Sequence, residues 1–227
     1  VSNPKVIKTL KGEYKAHSVI IATGAKPSKL NVKGEQEFTG RGVSYCAVCD
    51  GAFYKDKTVV VVGGGNAAVE EGIYLTKFAL KVYIVHRRDA LRADKIVQER
   101  AFKNNKIEFI WDSVVQEIQG DGKVQTAIVK NLKTGEISHI QTDGVFPYIG
   151  FTPNCDGFNG QLQQDEKGFI TVDENLQTSI PGVFAAGDVR VTPLRQVITA
   201  VADGAIAGVS AVKYLERVKE EIQVSQI

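Results

Sequence analysis

Residues 57–85 constrain the fold most, because they have the pattern of a complete βαβ unit. KTVVVV predicts a buried strand, GGGN a turn, AAVEEGIYLTKFA a helix and KVYIV a second buried strand. Strands rich in Val and Ile without alternation are typical of parallel sheets that are covered on both faces. The chain is therefore predicted to contain an α/β domain built on a parallel sheet.

The turn of this unit has the spacing Gly63-x-Gly65-x-x-Ala68 between a strand and a helix. The first glycine permits a tight turn, the second lets backbone N–H groups approach a pyrophosphate, and the small alanine lets helix and strand pack closely. A glycine triplet alone would be weak evidence, but here strand, turn, helix and second strand follow in register. We predict a dinucleotide site formed by Gly63, Gly64, Gly65, Asn66, Ala67 and Ala68.

The end of the second strand indicates which dinucleotide is bound. An Asp or Glu about 20 residues after the glycines would bind the ribose 2′-hydroxyl of NAD. This chain instead has His86, Arg87 and Arg88 there, and Arg92 follows one turn later. Because guanidinium groups match a phosphate dianion, these residues predict NADPH. The alternative is a solvated basic face at a strand end.

The stretch SYCAVCDGAF brings Cys46 and Cys49 close together in a chain that has three cysteines. A zinc site would need two more ligands at suitable spacing, and neither Cys155 nor the three histidines supply them. A disulfide in so short a loop is reducible, which favours a redox role. Asp50 could then pass a proton to a leaving thiolate. Two unreactive loop cysteines are the alternative, and Cys155 is read as a semi-buried hydrophobe.

Composition excludes several classes of function. The 28 basic and 26 acidic residues give a net charge of +2, and no basic run with interleaved aromatic residues suggests nucleic acid. No apolar run is expected to reach the roughly 20 residues of a membrane span, and no signal-peptide pattern opens the chain. Three cysteines in 227 residues are typical of a cytosolic protein with a special thiol pair.

The residue pattern of the remaining chain predicts further helices and strands. A charged helix is expected at 89–104, an antiparallel meander with hairpin turns at 107–149, and a long small-residue helix at about 196–218. The strand VFAAGDV ends on Gly187-Asp188, where an acid and a backbone amide could meet the sugar or diphosphate of a cofactor. An ordinary strand–loop–helix corner is the alternative reading.

The two ends of the chain share a sequence pattern that the middle lacks. Each has a strand that ends in a small-residue turn, whereas the middle has its own βαβ unit. We therefore predict an inner domain of residues 27–152 inserted into a discontinuous outer domain of residues 1–26 and 153–227.

As a set, these residues closely resemble the low-molecular-weight thioredoxin reductases, over essentially the whole chain. The shared stretches, in family order, are ATGA at 22–25, YCAVCDG at 45–51, GGGNAA at 63–68, HRRDALRA at 86–93, IGFTPN at 149–154, GDV at 187–189 and RQ at 195–196. The resemblance implies an α/β fold of two Rossmann-like, three-layer domains, with the NADPH-binding domain inserted into the FAD-binding domain.

The resemblance also implies a cytoplasmic, homodimeric flavoenzyme. In that family NADPH reduces FAD, FAD reduces the CxxC disulfide, and the dithiol reduces oxidised thioredoxin. Cys49 would be the sulfur nearer the flavin, Cys46 would attack the thioredoxin disulfide, and Asp50 would be the general acid. The residues that would hold NADPH are those of the glycine turn with His86, Arg87, Arg88 and Arg92. The residues that would contact FAD are Thr23, Gly24, Gly187, Asp188, Arg195, Gln196 and Val197.

Two features depart from the family. Val197 follows RQ where the family commonly has Ala. The family also begins with a strand–GxGxxG–helix unit for the FAD pyrophosphate, and a βαβ unit takes about 30 residues or more. No such unit precedes Val1, so the FAD domain is expected to be incomplete and the chain to be a fragment or a processed form; a few trimmed residues are the alternative. The rival functions are an NADPH-binding module without turnover and a flavoprotein reductase of a peroxidase-type partner.

Overall fold

The chain, described here by a computed structural model over residues 4–158 and 160–224 (side chains through 220), folds into two compact units. One unit comprises Val1–Lys26 with Phe151–Ile227, and the other comprises Pro27–Gly150.

The elements follow in chain order. The strands are β1 Lys5–Thr9, β2 Gly12–Ala16, β3 Val19–Ile21, β4 Ala25–Pro27, β5 Thr58–Val62, β6 Lys81–Val85, β7 Ile107–Ile110, β8 Ser113–Asp121, β9 Lys123–Asn131, β10 Ile137–Gln141, β11 Gly144–Pro147, β12 Phe151–Pro153 and β13 Val183–Ala185. The helices are α1 Ala47–Asp50, α2 Asn66–Leu75, α3 Lys95–Phe102 and α4 Val197–Val224, with 3₁₀ turns at Gly51–Tyr54, Asp156–Phe158 and Gly187–Val189.

A four-stranded parallel sheet, in the order β11-β5-β6-β7, is the centre of the unit Pro27–Gly150. Val59 and Val61 of β5 face the side of α1 and α2, where they pack with Ala68 and Leu75. Val60 faces the opposite side, which is covered by the antiparallel sheet β10-β9-β8. Burial on both faces is why these strands carry Val and Ile without alternation. The predicted α/β class with a parallel βαβ unit is confirmed.

Two local predictions for this unit are corrected. Of the predicted meander, β8, β9 and β10 are antiparallel, but β7 and β11 join the parallel sheet instead. The local pattern of a strand does not reveal its partner, so this difference required the tertiary structure. The helix predicted at 89–104 begins only at Lys95, and the loop before it carries Arg92.

The unit of the two chain ends contains the parallel pair β3 and β13 and the helix α4. Ile21 and Val183 pack with Ile170 in one cluster, and α4 buries Ala207 and Ala211 against the other side of β13. The sequence of this helix predicts Ala and Gly on one face for close packing, and this prediction is only partly right. A Cβ built on Gly204 or Gly208 would meet nothing within 4 Å, whereas Ala207 and Ala211 are buried.

The first 24 residues of α4 are more apolar than we expected from the sequence. Val197–Glu220 contains a window of mean hydropathy 1.3, so it is the one helix among the described residues long and apolar enough to cross a membrane. The prediction that no run reaches this length is wrong for this helix. A single such helix is weak evidence for a membrane span, because core helices of soluble proteins have the same composition.

Candidate functional site

The two neighbouring cysteines lie at the start of α1, where they form a disulfide. The Cα atoms of Cys46 and Cys49 are 5.3 Å apart, and Cys46 is the N-cap residue of the helix. The backbone N–H of Cys49 donates to the sulfur of Cys46 at 3.1 Å. A negative charge on the Cys46 sulfur would be stabilised by this donor. The side chain of Cys49 is exposed, whereas that of Cys46 is half-buried.

The carboxyl group that follows the disulfide is held by a serine. Oδ2 of Asp50 lies 2.6 Å from Oγ of Ser44, and this Oγ also accepts the backbone N–H of Cys46 at 3.2 Å. Ser44 is itself tied to the parallel sheet, since its N–H donates to the carbonyl oxygen of Val145 at 3.0 Å. The disulfide and the carboxyl group therefore share one polar support.

A tyrosine fixes the first turn of α1 from the end of β11. The backbone N–H of Ala47 donates to the hydroxyl oxygen of Tyr148 at 2.6 Å. Burial, followed by the nearby charge of Glu71, raises the pKa of the Tyr148 phenol well above its usual value. Burial also raises the pKa of Glu71, whose Oε2 has no hydrogen-bond partner within the described part of the chain. Tyr148 therefore keeps its proton across the physiological pH range.

At Gly63 and Gly64, the glycine turn between β5 and α2 leaves no room for a side chain. Gly63 has φ 150°, and a Cβ there would overlap the carbonyl oxygen of Tyr148 and lie 2.7 Å from Cβ of Ala68. A Cβ on Gly64 would overlap the ring of His86, whereas the space around Gly65, the N-cap residue of α2, is open. Backbone at a helix N-terminus with open space beside it fits an anionic diphosphate.

A cavity of about 340 Å³ lies beside this turn. Gly63, Gly64, His86, Arg87 and Arg92 line it. The loop that carries Arg92 is anchored to the turn, because the Arg92 N–H donates to the carbonyl oxygen of Gly64 at 2.7 Å. The structure therefore brings together one part of the predicted dinucleotide site, whereas Asn66, Ala67 and Ala68 lie in the first turn of α2.

His86 differs from the arginines beside it. Its side chain is 5% exposed, and its Nε2 has no hydrogen-bond partner among the residues that the structure describes. Burial lowers the pKa of His86, and the charge of Arg92 acts in the same direction, so the ring is neutral at pH 7. The His86 ring packs against Gly64 of the glycine turn and adds no charge to the cavity.

The guanidinium groups of Arg87, Arg88 and Arg92 are exposed. None of them forms an ion pair with a carboxylate whose side chain the structure describes, in residues 4–158 and 160–220. Arg87 and Arg92 line the cavity beside the glycine turn, whereas Arg88 is not among its lining residues. Cationic groups without an acidic partner at this place fit the 2′-phosphate of NADPH.

The residues predicted to contact FAD lie in the other unit. Thr23 and Asn154 hold each other by two hydrogen bonds: Thr23 Oγ1 donates to the Asn154 carbonyl oxygen at 2.7 Å, and Asn154 Nδ2 donates to the Thr23 carbonyl oxygen at 2.8 Å. The N–H of Asn154 also donates to the carbonyl oxygen of Gly24 at 2.9 Å, which fixes the turn at the end of β3.

The turn after β13 is held by a buried ion pair. The N–H of Gly187 donates to Asp203 at 2.9 Å, and Arg190 binds both carboxylate oxygens of Asp203 at 2.6 Å. This pairing lowers the pKa of Asp203. The side chain of Asp188 on this turn is half-buried.

Arg195 packs between aromatic rings. Its guanidinium carbon lies 4.1 Å from the centre of the Phe169 ring and 5.7 Å from that of Phe151. Burial lowers the pKa of Arg195, and the charge of Asp188 opposes this effect. Gln196 follows directly, and its N–H donates to Oγ1 of Thr199. The side chain of Val197, at the start of α4, is 81% exposed, so its size causes no clash.

Sequence reasoning missed four polar residues that position these groups: Ser44, Tyr148, Arg190 and Asp203. A signal was present for some of them. Asp203 is a lone acid in the apolar run ITAVADGAIAG, and Tyr148 places a hydroxyl at the end of an apolar strand. Within the described residues, no group of three His, Cys, Asp or Glu side chains suits a metal ion.

Comparisons with known proteins agree with this geometry. Residues 2–204 match the family model for pyridine nucleotide-disulphide oxidoreductases. The chain is 56% identical over 223 residues to the thioredoxin reductase of Peptoclostridium acidaminophilum, which covers 96% of this chain and 71% of that one. It is 52% identical over 220 residues to the thioredoxin reductase of Bacillus subtilis (strain 168), which covers 96% and 70%. The crystal structure of thioredoxin reductase from Streptococcus pyogenes MGAS5005 superposes with a TM-score of 0.89 at 54% identity, over 96% of this chain and 71% of that one.

The parallel sheet with its glycine turn and the disulfide-bearing helix thus define a pyridine nucleotide-disulphide oxidoreductase. Within that class, the chain belongs to the thioredoxin reductase family. The resemblance predicted from the sequence, the fold class and the oxidoreductase class are confirmed, and the Cys46–Cys49 disulfide fits the redox-active centre of such an enzyme.

Proposed function

We propose that this chain passes electrons from NADPH through FAD to the Cys46–Cys49 disulfide, and from the resulting dithiol to the disulfide of thioredoxin or a thioredoxin-like protein. The observation that carries the proposal is the disulfide itself. One of its sulfurs accepts a backbone N–H, a carboxyl group follows it directly, and both belong to the unit that holds the glycine turn.

The NADPH site is proposed in the unit Pro27–Gly150. The diphosphate would lie at the glycine turn and the N-terminus of α2, where the space beside Gly65 is open. Arg87, Arg88 and Arg92 would bind the 2′-phosphate as charge-assisted donors. The domain assignment of residues 27–152 to NADPH and of residues 1–26 and 153–227 to FAD is part of this proposal.

The FAD site is proposed in the other unit. When bound, the flavin supplies the two-electron chemistry that links a hydride donor to a disulfide. Thr23 and Gly24, fixed by Asn154, would form one contact, and Gly187 and Asp188, fixed by Asp203, another. Arg195, Gln196 and Val197 would complete the site. The buried Nε of Arg195 has no hydrogen-bond partner among the described residues, which supports a polar ligand beside it.

We also propose a role for each group at the disulfide. Cys46 is proposed to attack the partner disulfide, because the N–H of Cys49 stabilises a thiolate on the Cys46 sulfur. Cys49 is proposed as the sulfur that exchanges electrons with the flavin. Asp50 is proposed as the general acid that protonates a leaving sulfur. We also propose a cytoplasmic homodimer, in line with the thioredoxin reductases that the chain resembles.

The proposal is tested by visible absorbance and turnover of the purified protein. A flavin spectrum that bleaches with NADPH, together with NADPH-dependent reduction of thioredoxin, is expected. Cys46→Ser should abolish disulfide reduction while NADPH still bleaches the flavin. Cys155→Ser is the matched control, because this buried thiol is expected to take no part in turnover. Full activity of Cys46→Ser, or bleaching without reduction of any thioredoxin-like disulfide by the wild-type protein, would contradict the proposal.

A further inference from the structure

Ser44 is a buried polar residue two positions before the redox disulfide. Its side chain is 7% exposed, although serine is mostly found at protein surfaces. Its backbone is fixed on β11 through the carbonyl oxygen of Val145. The hydroxyl group therefore has a defined position relative to the sheet, and its contacts with α1 are not those of a mobile surface side chain.

The contacts of the hydroxyl group determine where its proton points. Oγ accepts the N–H of Cys46 at 3.2 Å and lies 2.6 Å from Oδ2 of Asp50. A second acceptor, the carbonyl oxygen of Cys46, lies at 3.5 Å, the limit for a hydrogen bond. Because the contact with Oδ2 of Asp50 is much the shorter of the two, the hydroxyl proton of Ser44 points to this carboxyl oxygen.

We propose that Ser44 is a positioning residue for Asp50: its hydroxyl group binds Oδ2 of the carboxylate and leaves the other oxygen, Oδ1, for proton transfer to sulfur. This inference rests on the proposed role of Asp50 as general acid. It adds a separate role for each carboxyl oxygen of Asp50, which neither the CxxCD motif nor the similarity to known proteins specifies.

The step in which Ser44 acts is thiol–disulfide exchange. The Cys46 thiolate attacks one sulfur of the partner disulfide, so that a Cys46–partner bond forms and the partner disulfide breaks. Cys46 of the reduced dithiol first gives its proton to Oδ1 of the Asp50 carboxylate, and the leaving partner sulfur then takes this proton, so that Asp50 becomes a carboxylate again. The hydroxyl group of Ser44 stabilises this carboxylate by hydrogen bonding, and that favours delivery of the proton.

A purely structural role makes a different prediction. The bond from Cys46 N–H to Ser44 Oγ is a local serine turn, which by itself would only shape the loop. Loss of such a turn changes folding but does not act through the protonation state of Asp50. The titration of Asp50 therefore separates the two roles.

The first experiment measures the Asp50 carboxyl carbon by ¹³C NMR in the holoenzyme with its disulfide intact, across a pH series. Asp50→Asn identifies the signal by its disappearance. In Ser44→Ala the titration midpoint should rise by about one pH unit, a tenfold change typical of losing a hydrogen bond to a charged group. Ser44→Thr, which keeps the hydroxyl group, should restore the wild-type midpoint. Thr142→Val removes another buried hydroxyl group of the same unit and should not move it. An unchanged midpoint in Ser44→Ala overturns the proposal.

The second experiment is a double-mutant cycle on turnover with thioredoxin disulfide. Ser44→Ala should lower kcat about tenfold with KM unchanged, and it should have no further effect in an Asp50→Asn background. An equal loss in both backgrounds would show that Ser44 does not act through Asp50. If the wild-type protein fails to reduce thioredoxin, the proposed function fails, whereas the NMR titration still decides whether Ser44 controls Asp50.

Discussion

At the scale of single residues, the charge beside the glycine turn comes from exposed arginines, while the histidine between strand and arginines is buried and neutral. Arg87 lines the cavity and Arg88 lies next to it in the chain. An exposed guanidinium group has a small desolvation penalty in the folded protein, because water solvates it when no anion is bound. Each of these arginines is therefore expected to contribute separately to the selectivity for NADPH over NADH.

Arg87→Ala and Arg88→Ala should each raise KM for NADPH roughly tenfold, because each removes a charge-assisted contact with the 2′-phosphate. KM for NADH, which lacks that phosphate, should stay unchanged. Steady-state kinetics with both cofactors measure the difference. Arg100→Ala, which removes an exposed charge from α3, is the control and should change neither value. Equal losses for both cofactors would show that the arginines do not read the 2′-phosphate.

At the scale of elements, hydrogen bonds hold the short helix α1 and the turn after β13 in place, because intrinsic secondary-structure propensity alone would not stabilise them. The helix α1 has four residues, which is too short to be stable by itself. It is held by the sheet through Tyr148 and Ser44, while the turn after β13 is held by Asp203 of α4.

Tyr148→Phe should loosen the first turn of α1, because the buried N–H of Ala47 loses its acceptor. An unsatisfied buried donor costs about 1–3 kcal/mol. Hydrogen exchange of the Ala47 amide should accelerate by tenfold or more, given that about 1.4 kcal/mol is a factor of ten. Tyr83→Phe is the control, since no hydrogen bond of its hydroxyl group occurs among the described residues. Unchanged exchange at Ala47 would mean that the tyrosine contact does not hold the helix.

Asp203→Asn should destabilise the unit of the two chain ends by about 3 kcal/mol, because it leaves Arg190 without its buried partner. The folded-state pKa of Asp203 is lowered, chiefly by Arg190, so its contribution is present above the unfolded pKa and is lost as pH falls through the folded pKa. The difference in unfolding free energy between wild type and variant should therefore be full near pH 7 and shrink in acid.

Denaturant unfolding across a pH series measures this dependence. Glu117→Gln breaks the exposed pair with Lys33 and is the matched control, which should hardly change stability because water and salt screen that pair. A stability difference for Asp203→Asn that stays constant down to strongly acid pH would contradict the assigned cause.

At the scale of the whole molecule, two units are formed from three segments of chain. Hydrogen–deuterium exchange with saturating NADP⁺ should show protection at residues 63–68 and 86–92, because both stretches border the cavity of the unit Pro27–Gly150. Strongest protection in residues 153–220 instead would contradict the domain assignment. The Arg87→Ala variant should lose most of the protection at the same NADP⁺ concentration.

Much of this architecture could be predicted from sequence because its signals are local. The glycine spacing, the apolar strands β5 and β6, and the CxxCD motif each lie within a few residues, so their chemistry can be read without a fold. The partners of β7 and β11 could not be predicted, since a strand pattern reports burial and not its neighbour. The late start of α3 was missed because charged residues are typical of both an exposed helix and a loop.

The sequence by itself determined the fold class, the family, the disulfide-forming pair and the candidate nucleotide contacts, because each depends on residue types at fixed short spacing. Only the tertiary structure decided which polar groups support them. Ala47 meets Tyr148 across 101 positions of sequence, and Gly187 meets Asp203 of a separate helix, whereas Ser44 and Asp50 meet within one local stretch. The contacts of Ala47 with Tyr148 and of Gly187 with Asp203 depend on how distant segments pack around a shared core. No local sequence pattern reveals which distant residues will meet.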